Sequence, residues 1–188
     1  MLRIETIENT FEIYFDEDLI STLDSKLFKR APHLLRSCKT LEGLKEKLST
    51  IQYERTKSYG AWLLSRQHYF SDQLKAKLIE KSFPKEIVKK FIDQLQTNGI
   101  LKDEQWAEQL IISAQNKGLG PYRIWQKLKT KKAPQELIEE FIDKFYSEDL
   151  QQAAIKKSYN KKFKKELSTF QEKQKAVQYL QRQGFSLD

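Results

Sequence analysis

The chain has 188 residues and a net charge of +8; 39% of its residues are hydrophobic and 32% are charged, which excludes a wholly disordered chain and favours helices. No apolar run reaches membrane-spanning length, and no signal peptide is evident at the N-terminus. The single cysteine, Cys38, excludes an intramolecular disulfide, and with His33 and His68 it provides too few ligands for an ordinary zinc site, so we expect a cytoplasmic protein without metal or cofactor.

The N-terminal residues have the pattern of short strands. Phe11, Ile13 and Phe15 alternate with their neighbours at a period of two, which is typical of a half-buried strand. A mixed apolar and polar segment over residues 2–7 precedes them, and residues 19–22 could form a further short strand. We predict a small β-hairpin or three-stranded meander that packs on a helix.

The rest of the chain has helical patterns that glycines and prolines divide. Residues 24–51 are helical but irregular, with Thr40 as a candidate N-cap for a helix that carries Leu44 and Leu48 on one face. Further on, each proline suits a first helical turn, and Asn98-Gly99 suits a helix C-terminus. The predicted helices cover residues 54–67, 71–81, 84–97, 103–116, 121–131, 134–146, 148–166 and 170–182.

An internal repeat is the most informative feature of the sequence. At an offset of 50, Pro84 matches Pro134 and Phe91 matches Phe141 without a gap. At an offset of 102, Leu78 matches Leu180 and Phe83 matches Phe185. The predicted divisions are an N-terminal β-hairpin with helices over 1–52, three-helix repeats over 53–101 and 102–147, and a truncated third repeat over 148–188. The fold is therefore predicted to be mainly α, with helix-turn-helix-like repeats stacked into an elongated, curved array.

The positive charge is concentrated outside the N-terminal part. Residues 1–54 hold 8 Lys and Arg against 10 Asp and Glu, whereas residues 55–188 hold 26 against 16. In the helix predicted over residues 148–166, the four-residue spacing of Tyr159 and Phe163 predicts that both face the core. Arg123, Lys127 and Lys131 recur every four residues, and a lysine-rich segment has six lysines within residues 156–165. Such patterns indicate either a solvated helix face or a surface that binds an anionic partner, and we favour the second for both. The candidate binding residues are Arg66, Lys77, Lys81, Lys117, Arg123, Lys127, Lys131, Lys132, Lys156, Lys157, Lys161, Lys162, Lys164 and Lys165.

Other motifs favour structural roles over chemistry. Gly118-x-Gly120-Pro121 lacks the Gly-Lys-Ser/Thr ending of a phosphate-binding loop, so we interpret it as a junction between helices. Trp62 and Trp106 lie among apolar residues and are predicted to belong to the core, whereas Trp125 could be exposed. His68 has no serine or cysteine placed to serve as its nucleophile, and we expect no enzymatic activity.

Several segments of the repeats resemble one protein family. They are Ala61-Trp62-Leu63-Leu64-Ser65-Arg66, Gln73-Leu74-x3-Leu78, Lys81-Ser82-Phe83, the run Leu95–Asp103, Trp106-Ala107, and Gly118-x-Gly120-Pro121-x-Arg123-Ile124-x3-Leu128. In order and spacing they resemble the RecX family, closely over residues 53–146 and loosely over 147–188. The chain departs from the family at Phe70, where a serine often caps the following helix, and at Ser82, where glycine is common. Ser71 is a candidate replacement for that cap.

The resemblance implies a function. RecX proteins are bacterial regulators that bind and restrain the RecA recombinase filament in DNA recombination, DNA repair and the SOS response. The chain is thus expected to act as a monomer in the groove of a RecA–DNA filament, contacting successive subunits and suppressing strand exchange and ATP hydrolysis. The basic residues would be contact points, and single- or double-stranded DNA could be touched directly. The alternative is a free-standing nucleic-acid-binding module, because three-helix units with a short turn also resemble helix-turn-helix domains.

Overall fold

Of the two arrangements predicted for the N-terminal part, the three-stranded antiparallel meander is the one that forms in a computed structural model, which describes residues 1–145, 148–164 and 167–186. The strands are β1 (Leu2–Ile7), β2 (Thr10–Phe15) and β3 (Asp18–Asp24). Asp16 and Glu17 connect β2 to β3 and have φ angles of 49° and 74°. Positive φ at both positions is typical of the two-residue turn whose twist matches that of the flanking strands. In the central strand, Ile13 is fully buried.

Helices form most of the remaining chain. In the described residues they are α1 (Ala31–Leu35), α2 (Leu41–Leu64), α3 (Ser71–Glu80), α4 (Lys85–Thr97), α5 (Asp103–Asn116), α6 (Pro121–Thr130), α7 (Gln135–Phe145), α8 (Glu148–Lys162) and α9 (Phe170–Gln183). The prediction of a mainly α fold behind a small sheet is confirmed. The predicted break before residue 54 is wrong, since α2 is continuous. Its residues 44–59 contain no glycine or proline to interrupt it. Thr40 caps α2 as predicted, accepting a hydrogen bond from the Gly43 N–H at 3.2 Å.

The internal repeat is visible in backbone geometry as well as in sequence. A left-handed residue follows each of the helices α3, α6 and α9 within two residues of the helix end. In each case the N–H of the residue after it donates to the carbonyl of a leucine five residues earlier, at 3.0–3.3 Å. The left-handed residues are Ser82, Lys132 and Gly184, with φ angles of 61°, 54° and 92°. They are separated by the offsets of 50 and 102 found in the sequence, so the same helix ending occurs in all three repeats.

One compact unit comprises residues 1–68 and 74–100. Its aromatic core includes Phe28, whose ring meets that of Phe83 edge-on at 5.8 Å, and Tyr59, 5.7 Å from Phe83. Here α2 packs against α4. The packing is close at Gly60, where an added Cβ would lie 2.4 Å from Cε1 of Phe91. An alanine at this point of α2 would therefore displace the Phe91 ring from the core.

The second unit comprises residues 69–73 and 101–188. The buried members of its core are Phe70, Ala107, Leu110, Ile111, Ala114, Ile124, Leu128, Ala133 and Ile138. Within this unit, the carboxylate of Asp103 accepts hydrogen bonds from the Ser71 N–H, at 3.0 and 3.2 Å, and from the Ser71 hydroxyl. Ser71 is the first residue of α3, so the cap of α3 comes from the first residue of α5 and not from an adjacent serine.

No helix in the described part of the chain is long and apolar enough to cross a membrane.

Candidate functional site

The candidate basic residues are distributed over both units. Those whose side chains are exposed are Arg66, Lys81, Lys117, Arg123, Lys132, Lys156, Lys157, Lys161, Lys162 and Lys164. Lys77, Lys127 and Lys131 are half-buried, and Lys165 lies outside the described residues. None of those described forms an ion pair with a described carboxylate within 4.0 Å. Their positive charge is therefore not neutralised by direct pairing within the described chain.

Three of these residues are used inside the second unit, at the C-terminal ends of helices. Arg123 donates through Nε to the Arg182 carbonyl near the end of α9, at 3.0 Å. Lys157 donates through Nζ to Oδ1 of Asn116, the last residue of α5, at 3.0 Å, and Lys161 donates to the Lys117 carbonyl at 3.4 Å. The last carbonyls of a helix lack internal partners and carry partial negative charge, so cations stabilise them. Both the predicted basic stripe and the lysine-rich segment therefore include residues that already make hydrogen bonds within the protein.

The helix α8 presents two different faces. As predicted, Tyr159 and Phe163 turn inward: both are half-buried, their rings lie 5.2 Å apart, and Phe163 meets Tyr179 of α9 edge-on at 5.7 Å. Ser158 is fully buried and donates its hydroxyl to the Gly118 carbonyl at 3.0 Å. Three lysines of this segment are exposed and make no hydrogen bond within the described chain: Lys156, Lys162 and Lys164. They form the α8 lysine surface, which is named for the helix although Lys164 lies two residues beyond its end.

The Gly118-x-Gly120-Pro121 motif is the junction between α5 and α6, as predicted, and the structure explains both of its glycines. Gly118 has a φ of 79°, and a Cβ there would lie 3.2 Å from Oγ of Ser158. A Cβ on Gly120 would lie 2.5–2.7 Å from the backbone of Gly184 and Phe185. The third repeat therefore docks on the second through these two glycines, a role that sequence comparison within the chain did not reveal.

The start of α6 is closed by the end of α9. The Gly120 N–H donates to the Gln183 carbonyl at 2.8 Å, and the Tyr122 N–H donates to the Gly184 carbonyl at 3.1 Å. The amides that would hold a phosphate at a helix N-terminus are thereby engaged. The glycine motif does not present a phosphate-binding loop.

The prediction that Trp62 belongs to the core is wrong. The neighbouring Leu63 faces the core, and Trp62 is 45% exposed on α2. Its ring is stacked on Tyr59 at 5.4 Å, and the Arg66 guanidinium lies 4.2 Å from the ring centroid. The indole thus lies between an aromatic ring and a cation at the surface.

The other two tryptophans belong to the second unit. Trp106 is half-buried and packs on the core, with its ring 6.4 Å from Phe70, in agreement with the prediction. Trp125 is half-buried on α6; Tyr122, itself 59% exposed, is stacked on it at 5.9 Å, and Nζ of Lys129 lies 4.7 Å from its ring centroid. These three side chains form the α6 aromatic–cationic surface.

The described residues contain no group of three His, Cys, Asp or Glu that could hold a metal ion. His68 is exposed at the start of the connection from α2 to α3.

Comparisons with known proteins agree on one family. The model of the third three-helix domain of RecX matches residues 148–188. Regulatory protein RecX of Clostridium perfringens is 25% identical over 183 residues, covering 96% of this chain and 86% of that protein. Regulatory protein RecX of Streptococcus agalactiae is 27% identical over 186 residues, covering 97% of this chain and 69% of that protein.

Two solved structures share the fold. A crystal structure of regulatory protein RecX aligns with a TM-score of 0.61 and 20% identity over 99% of this chain and 93% of that one. The crystal structure of RecX from Lactobacillus salivarius aligns with a TM-score of 0.60 and 19% identity over 72% of this chain and 89% of that one. Together with the sequence matches, the shared fold confirms the resemblance to RecX proteins that was drawn from the motifs.

Proposed function

We propose that this protein is a non-enzymatic regulator that binds the RecA–DNA filament and lowers the rates of ATP hydrolysis and strand exchange by RecA. The observation that carries the proposal is the match to proteins named regulatory protein RecX over almost the whole chain. The family resemblance supplies RecA as the partner. This role assigns the protein to the cytoplasm and to DNA recombination and repair, and it needs only a monomer.

The basic surfaces suit this partner chemically. A filament on DNA presents phosphates and acidic side chains, and unpaired cations attract both. The α8 lysine surface is the strongest candidate contact, since Lys156, Lys162 and Lys164 are exposed and have no hydrogen-bond partner within the described chain. Lys127 on α6 and Lys131, the residue directly after α6, are a second candidate; both are half-buried and have no ion pair in the described residues.

The test is the DNA-dependent ATPase activity of RecA with increasing amounts of this protein. We expect inhibition at sub-stoichiometric ratios, since one regulator contacts several subunits of a filament. The triple variant Lys156→Gln, Lys162→Gln and Lys164→Gln removes three unpaired charges. If each contact contributes ~0.5 kcal/mol, the half-inhibitory concentration rises about tenfold.

A matched control separates contact from net charge. Lys45, Lys85 and Lys89 are also exposed, and replacing them with glutamine removes the same charge from the first unit. We expect the control variant to inhibit RecA like the unmodified protein. Unchanged ATPase activity at an equimolar ratio of the unmodified protein would refute the proposed function, and equal losses in both variants would refute the assignment of the surface.

The second candidate function is direct binding of single-stranded nucleic acid, for which the α6 aromatic–cationic surface is the specific observation. An exposed Tyr122 beside Trp125 offers ring faces on which bases stack, and Lys129 adds a cation for the phosphates. A salt titration of DNA binding without RecA distinguishes the two functions. Tight binding with a steep negative salt dependence favours the second, whereas weak binding that RecA restores favours the first.

A further inference from the structure

The charges of residues 1–41 are divided by sign along the chain. Residues 1–24, which include the sheet, hold seven acidic residues and a single basic one, Arg3. Residues 25–41 hold five basic residues and no acidic one. The second segment comprises the turn after β3, the helix α1 and the connection to α2. In the sequence, this positive charge is separate from the candidate basic residues of the repeats, and the proposed function makes no use of it.

Part of this basic segment lines a groove of about 660 Å³ against the side of α2, wholly within the first unit. The basic side chains along it are Lys26, Lys29, Arg30 and Arg55, all exposed. Glu54 is the single acidic residue among those that line the groove, and its carboxylate lies 3.9 Å from Nζ of Lys57. The groove thus has a strong excess of positive charge.

The same groove has apolar side chains between its cations. Leu34 is 42% exposed, and Leu27 and Ile51 are half-buried, all three lining the groove. The one aromatic side chain in the lining, Phe28, is only 5% exposed. Bases would therefore find no exposed ring on which to stack, whereas an apolar stripe could cover the leucines and the isoleucine.

The backbone that forms the groove is held in place. The Phe28 ring is anchored against Phe83, the Leu27 N–H donates to Oδ1 of Asp24 at 2.8 Å, and the Ala31 N–H donates to the Phe28 carbonyl at 2.8 Å. A groove fixed in this way loses little conformational freedom when a ligand enters, which favours binding.

We propose that this groove binds an acidic amphipathic segment of a partner protein, a short helix with an apolar stripe flanked by Asp or Glu. Its apolar side chains would cover Leu27, Leu34 and Ile51, and its carboxylates would pair with the surrounding cations. Charge complementarity and the apolar floor together select this occupant: a nucleic acid would satisfy only the charge, and an uncharged helix only the floor. The site is independent of the basic surfaces assigned above to the filament.

The test measures fluorescence anisotropy of a labelled helical peptide that has leucines at positions i, i+3 and i+7 and glutamates around them. A peptide of the same composition with scrambled leucine positions is the first control, and a labelled single-stranded oligonucleotide is the second. The full-length chain is used throughout. We expect the patterned peptide to bind at least tenfold more tightly than the scrambled one, with an affinity that falls as salt is added.

Variants then locate the binding site. Arg30→Glu with Arg55→Glu should weaken the patterned peptide at least tenfold, and Leu34→Gln should reduce its affinity to that of the scrambled peptide. All three positions are substantially exposed, so folding should persist, and circular dichroism checks this. The charge-matched control, Lys85→Glu with Lys89→Glu on the exposed side of α4, should leave peptide binding unchanged.

Several outcomes would overturn the proposal. Equal binding of the patterned and scrambled peptides would show that charge alone attracts them. Oligonucleotide binding that Arg30→Glu with Arg55→Glu abolishes, without peptide binding, would assign the groove to nucleic acid. Self-association of the unmodified chain in light scattering that the same variant abolishes would mean that the acidic sheet of a second copy occupies the groove. RecA inhibition is measured separately, because it does not depend on this site.

Discussion

Replacing Gly120 with alanine tests the docking of the third repeat on the second. Gly120 has φ −82° and ψ 172°, an extended conformation that alanine adopts freely, and the substitution alone would stabilise the chain by ~0.4–1 kcal/mol through the unfolded state. In the structure, however, the new Cβ would lie 2.5 Å from the Gly184 carbonyl carbon and 2.7 Å from the Phe185 nitrogen. Both neighbours are backbone atoms that cannot rotate away, so the helices must separate.

The expected cost is that of overpacking, about 1–3 kcal/mol. It would appear in the two hydrogen bonds across the contact, from the N–H groups of Gly120 and Tyr122 to carbonyls at the end of α9. We expect hydrogen exchange of these amides, measured by mass spectrometry or NMR, to accelerate about 5- to 150-fold. Gln171→Ala, at an exposed position of α9, is the control and should leave the exchange unchanged. Unaltered protection and unfolding midpoint in Gly120→Ala would refute the close contact.

Three further predictions concern helix ends. Asp103→Ala removes the carboxylate that accepts from Ser71, and should lower the free energy of unfolding in urea by ~0.5–2 kcal/mol. Asp103→Asn should lose less, because it keeps one acceptor. Equal urea midpoints for Asp103→Ala and the unmodified protein would contradict the cap. Ser82→Gly and Lys132→Gly should each raise stability by roughly 0.5–1 kcal/mol, visible as a higher thermal midpoint, because both residues have positive φ. The N–H of Thr169 donates to Glu172 and holds the pKa of that carboxyl below its ordinary 4.5. The carboxylate therefore stabilises α9 fully above the unfolded-state pKa, and this stabilisation is lost as pH falls through the folded-state pKa. A carboxyl ¹³C titration of Glu172 with its midpoint above 4.5 would contradict this.

Local patterns predicted the helices well, since each helix carries its own signals. The equivalence of Pro84 and Pro134 led to repeats whose second helices end in the same left-handed geometry. Periodicity also predicted that Tyr159 and Phe163 turn inward. Periodicity failed for Trp62, because α2 has apolar residues on more than one face and the sequence does not show which face packs on the core. Leu63 is buried and Trp62 is not.

Contacts between distant residues left no comparable trace in the sequence. Asp103 caps a helix that begins 32 residues earlier, and only the packing of α5 beside the start of α3 brings the two together. The glycines of the α5–α6 junction predicted a turn. The structure gives a second reason why glycine is needed there, the close contact with α8 and α9, and this contact depends on where the third repeat lies. The candidate site shows the same limit: residue type and spacing identified basic residues, whereas their division into anchors and free cations required coordinates.

This division bears directly on how the lysine-rich segment should be tested. Replacing all of its lysines at once would mix two effects, since Lys157 and Lys161 bind the end of α5 whereas the α8 lysine surface binds nothing in the described chain. Lys157→Gln with Lys161→Gln should destabilise the docking of α8 by ~0.3–1 kcal/mol per residue and accelerate amide exchange near the end of α5. The triple glutamine variant of the α8 lysine surface should leave that exchange unchanged while weakening RecA inhibition. Two results would contradict this division of the segment into anchoring and free lysines. One is faster exchange in the triple variant, and the other is unchanged exchange in the double variant.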